Sequence, residues 1–248
     1  MKEKTLFLAW QDKRLTREWF PVGRLDISPH DRSHRFRYIK GAKRAQTAAG
    51  FTPLLDFPDW NRTYESSVLF PLFMNRVLQS TRQDFPEYMQ MLDLPEDSGP
   101  ADILAVGGGK RATDNFEVFP MLERKPDGSF DSRFFQHGWR YLNPDAQKRI
   151  LQLQAGEPLY VAVELTNPVM RLAVQIQTQD YYMIGWAPRY LVTDLVHAIA
   201  QSPAEYSAKV IRVNPAPAPS KQRLLIELTG RWPDYQPMSS GDFEPLAA

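Results

Sequence analysis

The sequence predicts an α+β protein of two modules, on three observations. Short segments rich in β-branched and aromatic residues alternate with stretches that carry helix-cap chemistry, the pattern of mixed sheets and helices. Strands and helices are readable in both halves of the chain, and the second half has a different rhythm from the first. Between the halves, Arg124 to Asp131 contains Lys125-Pro126-Asp127-Gly128, which is turn chemistry and marks a change of module through a hairpin turn or a linker. The modules are read as 1–123 and 132–248, and 248 residues suffice for two ordinary domains.

In the first half, Thr5 to Trp10, Val22 to Leu25 and Phe36 to Lys40 read as strands, with Pro29-His30-Asp31 as a turn. Lys43 to Ala49 reads as a helix that Gly50 stops, because glycine takes the left-handed conformation a helix end requires. Ser66 or Ser67 is placed to cap a helix over Val68 to Leu78. Asp84-Phe85-Pro86-Glu87 offers a capping acid, a first-turn proline and a reciprocal glutamate for a helix to Leu92. Pro100 opens another helix ending at Gly107-Gly108-Gly109, and Phe116 to Phe119 closes the half as a strand.

The second half has a different rhythm. Phe134 to Leu142 reads as a strand, and Asn143-Pro144-Asp145 starts a helix to about Gln154. Leu159 to Leu165, Arg171 to Gln177 and Tyr182 to Trp186 are strands, followed by a helix over Tyr190 to Ala200 with Leu191, Leu195, Val196 and Ile199 on one face. Strands Ala208 to Val213 and Arg223 to Leu228 flank Asn214-Pro215-Ala216-Pro217-Ala218-Pro219, an extended connector whose prolines cannot join a central strand.

Composition excludes several classes of function. At 43% hydrophobic and 12% aromatic residues the chain has material for real cores. It has no cysteine, so disulfides, a thiol nucleophile and cysteine-ligated metal are out, and a reducing compartment fits. The apolar run Leu6 to Trp10 is too short for a signal-peptide core, and no run approaches the ~18 apolar residues of a membrane helix. The expectation is a cytoplasmic protein with no membrane partner. The net charge of +1 conceals an asymmetry: residues 1–44 hold twelve Lys or Arg against five Asp or Glu. Such a segment is either a solvated basic face or a surface for an acidic partner.

No catalytic constellation is readable. Gly107-Gly108-Gly109-Lys110-Arg111 lacks the glycine of a phosphate loop at Leu104 and its hydroxyl at Arg111, so it reads as a helix-to-strand turn. His30 and His34 stand four apart among loop residues with no third ligand, and His137 and His197 are isolated. Asp114 reads as a turn-capping acid or a ligand contact. No enzyme, cofactor or metal is therefore expected. More telling is the mixture of Arg140-Tyr141, Tyr181-Tyr182, Trp186, Arg189-Tyr190, Arg212 and Arg223 on or beside the strands of one unit. Aromatic faces stack bases and guanidinium groups hold phosphates, although single aromatics of this kind are more often core.

Gly138-Trp139-Arg140-Tyr141, Leu159 to Leu165, Asn167-Pro168, Arg171 to Ile176 and Ile184-Gly185-Trp186-Ala187-Pro188-Arg189-Tyr190-Leu191 resemble, in order and spacing, a HIRAN domain over about 134–232. The resemblance implies a small β-barrel with one or two helices. Relatives fused to fork-remodelling SWI/SNF ATPases hold the 3′ end of single-stranded DNA, and bacteria carry stand-alone members. Arg140 and Tyr141 match the positions that grip a phosphate and stack a base. The family's Asn-Pro-Tyr-Asp supplies a second ring and the acid for the terminal hydroxyl, and here it reads Asn167-Pro168-Val169-Met170.

Val22-Gly23-Arg24-Leu25, Phe36-Arg37-Tyr38, Pro53-Leu54, Leu69 to Phe73 and Leu104 to Phe119 resemble the amino-terminal subdomain of HipA-type kinases. That subdomain carries no ATP site, packs on a kinase core and can occur as a separate subunit. Together the readings predict a non-enzymatic protein that contacts single-stranded DNA or DNA ends through Arg140, Tyr141, Arg189 and Arg212. The alternative is a regulatory subunit docking on a kinase or nuclease through Trp60, Tyr64 and the basic segment.

Overall fold

The computed structural model describes residues 3–28, 30–168, 171–239 and 241–247. The chain divides into two compact units, the first comprising Met1–Met89, Leu94–Met121 and Met238–Ala248, the second Gln90–Asp93 and Leu122–Pro237. The module change falls just before the predicted turn, in which Gly128 N–H donates to Lys125 O (2.8 Å). Two segments depart from the sequence-based boundaries, because turn chemistry marks where a chain bends and not where a later segment packs. The tail belongs to the first unit: Lys40 N–H donates to Glu244 O (2.8 Å), Leu246 N–H donates to Tyr38 O (2.9 Å), and the Phe243 ring lies 4.8 Å from Phe7. Gln90–Asp93 belongs to the second, where the Asn214 amide donates to Met91 O (3.0 Å).

In the first unit β1 (Lys4–Gln11), β2 (Trp19–Ser28), β3 (Ser33–Tyr38), β4 (Tyr64–Ser66) and β5 (Phe116–Pro120) form an antiparallel sheet in the order β4-β3-β2-β1-β5. Helix α1 (Lys40–Ala49) presents three small residues, Gly41, Ala42 and Ala45, as its buried face. A Cβ on Gly41 would stand 2.0 Å from the Pro21 carbonyl oxygen, so glycine lets the helix backbone rest directly on β2. Gly50 ends α1 at φ 71°, as its position predicts. Phe36, Tyr38, Phe57 and Phe73 fill the core beside Leu6, Leu8 and Leu25. The Tyr38 hydroxyl donates to Phe57 O (2.8 Å) and accepts from Leu54 N–H (2.7 Å), and burial pushes its phenol up to about 12.

The helix expected over Val68 to Leu78 is a single turn, α2 (Pro71–Met74). Pro71 lacks the N–H that a helix begun at Val68 would need there, and it forces Phe70 into an extended conformation (ψ 145°). Ser66 lies in β4, and its hydroxyl accepts from Val68 N–H (3.1 Å). Helix α3 (Phe85–Met91) follows its predicted start, and α4 (Pro100–Gly107) ends at Gly108 with φ 73°.

The second unit holds β6 (Ser129–Phe135), α5 (Pro144–Gln152), β7 (Pro158–Asn167), β8 (Arg171–Gln177), β9 (Met183–Trp186), α6 (Val192–Gln201), β10 (Ser207–Val213) and β11 (Leu224–Arg231). Its strands run antiparallel in the order β6-β11-β10-β7-β8-β9. Strand β7 pairs with β10 only through Pro158 and Leu159, then continues along β8. Beyond that open ladder, an isolated bridge joins His137 to Trp186 in β9. The fully buried Trp232 stacks on Phe130 at 3.8 Å and donates its indole N–H to Asp194 O (2.9 Å). Among the described residues, no helix is long and apolar enough to cross a membrane.

Asn143 caps α5, its side-chain oxygen accepting from Ala146 N–H (2.8 Å), with Pro144 in the first turn. Asn143→Ala is expected to lower the stability of this unit by about 1 kcal/mol. The urea midpoint measures it, and an unchanged midpoint would mean that the burial of Ala146 and Ile150 sets the helix start instead.

Candidate nucleic-acid interface

The predicted strand Phe134 to Leu142 stops early. After β6 the chain makes the His137–Trp186 bridge, with His137 N–H donating to Trp186 O (2.9 Å) and Trp186 N–H to His137 O (3.1 Å). Gly138 then turns at φ 90°, and a Cβ there would stand 2.4 Å from Cε3 and 2.5 Å from Cζ3 of the Trp186 indole. Only a residue without a side chain lets the backbone turn against that ring. A 3-10 turn, Trp139–Tyr141, follows, so Arg140 and Tyr141 sit on a turn and not on a strand.

That turn is held from both sides. Tyr141 N–H donates to Gly138 O (2.8 Å), and the Gln147 amide of α5 donates to Trp139 O (3.2 Å) and Leu142 O (3.3 Å). On this fixed base the exposed Arg140 guanidinium lies over the Tyr141 ring, 4.7 Å from its centroid, and donates to the phenol oxygen. Tyr141 keeps 59% of its surface open to water. A cation and an aromatic face are thus presented together by backbone that is pinned elsewhere.

The neighbouring wall comes from β7 and β9. The Trp186 indole N–H donates to Glu164 Oε2 (2.7 Å), which also accepts from the buried Asn167 amide (3.1 Å). The indole therefore spans from Gly138 to a carboxylate fixed by two donors. Arg223 lies 5.6 Å from the Trp139 ring centroid, and its Nη1 donates to Asn214 O (3.4 Å).

The remaining sequence-predicted residues are distributed as follows. Arg189 is half-buried in the 3-10 turn Arg189–Leu191, three residues after Trp186. Arg212 reaches Asp93 (3.4 Å), which also pairs with Arg133 (3.2 Å); Arg133 in turn pairs with Glu227 (2.8 Å). Arg223, not Arg212, is the arginine brought against the Trp139 ring. Val169 and Met170 lie outside the described residues. In the first unit, Trp60 packs at the rim of the core, 4.7 Å from Tyr38 and 5.9 Å from Phe51, under the Lys43 ammonium at 4.5 Å. Tyr64 lies edge-on to Phe57 at 5.1 Å, and its hydroxyl accepts from Asp59 N–H (2.6 Å).

The glycine run 107–109 is a helix end. A Cβ on Gly109 would stand 2.8 Å from Leu104 and 3.0 Å from Arg76, and Lys110 pairs with Glu117 (3.0 Å). Among the described residues, no group of three or more His, Asp or Glu is arranged to hold a metal ion. Sequence reasoning did not single out Gly138 or Glu164. Glu164 had a readable signal: it is the only charged residue within the alternating strand Leu159 to Leu165.

No protein-family model matches the chain, and no curated protein does. A crystal structure of a protein from Lactobacillus plantarum is similar at 17% identity and a TM-score of 0.31, over 41% of this chain and 99% of that one.

Proposed function

We propose that this chain is a cytoplasmic, non-catalytic nucleic-acid-binding protein whose second unit takes single-stranded DNA or a DNA end at the Arg140–Tyr141 turn. The observation that carries the reading is the exposed guanidinium stacked on an exposed phenol ring, both on backbone held by Gly138, Trp186 and Gln147. Without a ligand the two groups satisfy each other. With one, the ring stacks a base while the guanidinium moves to the phosphate beside it. Arg189 and Arg223 supply further positive charge, and Arg212 becomes available only by leaving Asp93. In this reading the His137–Trp186 bridge is the seam of a small HIRAN-type barrel, closing the ladder between β9 and the second residue after β6.

Fluorescence anisotropy with a short labelled single strand tests it. Arg140→Ala is expected to weaken binding by about tenfold or more and to make the salt dependence shallower by about 0.7 in log–log slope, the share of one phosphate contact. Unchanged affinity would remove Arg140 from the site. Oligonucleotides with free and blocked 3′ hydroxyls separate end recognition from general single-strand binding. No binding at low salt would transfer the assignment to a regulatory subunit that docks on a kinase or nuclease.

A further inference from the structure

The outer face of β7, β8 and β9 carries groups that the Arg140–Tyr141 turn does not use. Directly opposed residues of antiparallel strands point to one side of a sheet. The pairs Tyr160–Gln177, Ala162–Gln175 and Gln175–Trp186 therefore put Tyr160, Gln175, Gln177 and Trp186 on a common face. Hydrogen bonds confirm the side: the Gln177 amide donates to Gln175 Oε1, and the Trp186 indole reaches Glu164. Val174 and Ile176 are buried on the other side. At the far end, Tyr160 (45% exposed) lies against Tyr181 (75% exposed), with ring centroids 5.6 Å apart and planes inclined by 31°.

The chemistry of this face is unlike that of a phosphate groove. Between Tyr160 and Trp186 it offers rings and amides; the Glu164 carboxylate, opposite Ala173, lies one pair beyond Trp186, and the exposed Arg171 stands at the margin, opposite Asn167. A carboxylate repels phosphates, whereas aromatic surface bordered by amides accepts nucleobases of any sequence. The face is also continuous with the turn, because Trp186 touches Gly138. Two strand spacings and one pleat separate Trp186 from Tyr160, a path of about 12 Å.

We infer that this face is a base-stacking subsite, taking the nucleotides next to the one held at Tyr141 with their bases on Tyr160 and Tyr181 and their phosphates turned to solvent. The inference rests on the nucleic-acid reading of the second unit. It predicts a division of labour: Arg140 supplies salt-sensitive affinity to any strand, and the tyrosine pair supplies salt-insensitive affinity to longer strands alone.

The test compares labelled dT oligonucleotides of ~3 and ~10 nucleotides on the full chain. Wild type should bind the longer strand more tightly. The double variant Tyr160→Ala/Tyr181→Ala should weaken the longer strand by about tenfold or more, equally at low and high salt, and leave the shorter one unchanged. Tyr160→Phe/Tyr181→Phe, which keeps both rings, should bind as wild type. Circular dichroism on all variants verifies the fold. If the alanine double variant keeps the wild-type affinity for the longer strand, the subsite is wrong while the Arg140–Tyr141 site stands. If wild type binds neither strand, the nucleic-acid reading falls and the subsite with it.

Discussion

An alanine at Gly185 is expected to cost the second unit about 3 kcal/mol or more and to abolish oligonucleotide binding. Gly185 sits at φ 129°, a region that side chains rarely enter, and a Cβ there would meet Gln136 Nε2 at 2.4 Å, Gln136 Cγ at 2.5 Å and His137 O at 2.6 Å. The first two atoms belong to a buried side chain with little room, and the third is backbone of the bridge itself. Relief requires β9 to move away from His137, which breaks the pair of hydrogen bonds holding Trp186 beside Gly138. The Arg140–Tyr141 turn then loses its support while its own side chains remain unaltered. Urea unfolding followed by tryptophan emission gives the stability change, and anisotropy gives the binding. A loss below about 1 kcal/mol with binding intact would show that the bridge does not position the turn.

Asp114→Ala is expected to destabilise the first unit by about 3 kcal/mol, through the charge it leaves behind. The Arg76 side chain is 2% exposed, and its guanidinium is held by Asp114 at 2.6 and 3.2 Å, with Gly109 O and Leu72 O each at 2.9 Å. Removing the carboxylate leaves a buried cation facing two carbonyls and the Phe116 ring, with no opposite charge. The low end of the usual 3–5 kcal/mol range, about 3, applies because Asp114 is 25% exposed and water can reach part of the gap. Asp84, paired with Arg82 at 2.8 Å where both side chains are more than half exposed, is the matched control, and its alanine variant should shift the urea midpoint far less. Urea midpoints of the two variants make the comparison. Equal costs would mean that the Arg76 guanidinium finds water when Asp114 is gone.

Local chemistry was legible at several helix ends, though not at Ser66, whose hydroxyl accepts from Val68 N–H without opening a helix there. Gly50 and Gly108 end helices in the left-handed conformation, and Asn143-Pro144 starts one, each where the sequence placed it. Asp114 reads as a turn-capping acid, and its Oδ1 does accept from Phe116 N–H (3.1 Å). Its second duty toward Arg76, thirty-eight positions away, leaves no local trace. The same limit explains the candidate site. Gly138 looks like an ordinary glycine in a strand until Trp186 is seen against it. Arg212 and Arg223 are equivalent in sequence, but a bulge between Val210 and Arg212 brings Arg212 opposite Leu225, on the side of Lys209 and Glu227. Alternation read along the strand cannot register an inserted residue.

The return of the segment after Pro237 to the first unit governs the order in which the two units can form. During synthesis β1 and β5 emerge early, whereas Phe243, which lies against both Phe7 (4.8 Å) and Phe119 (6.5 Å), follows the whole of Leu122–Pro237. The second unit can gather its own core once Trp232 has left the ribosome; the first waits for Phe243 to follow. A chain cut short after Pro237 would therefore carry a finished second unit beside a first unit lacking its closing ring and the Lys40–Glu244 pair. Surveillance that detects uncovered apolar surface would recognise such a fragment.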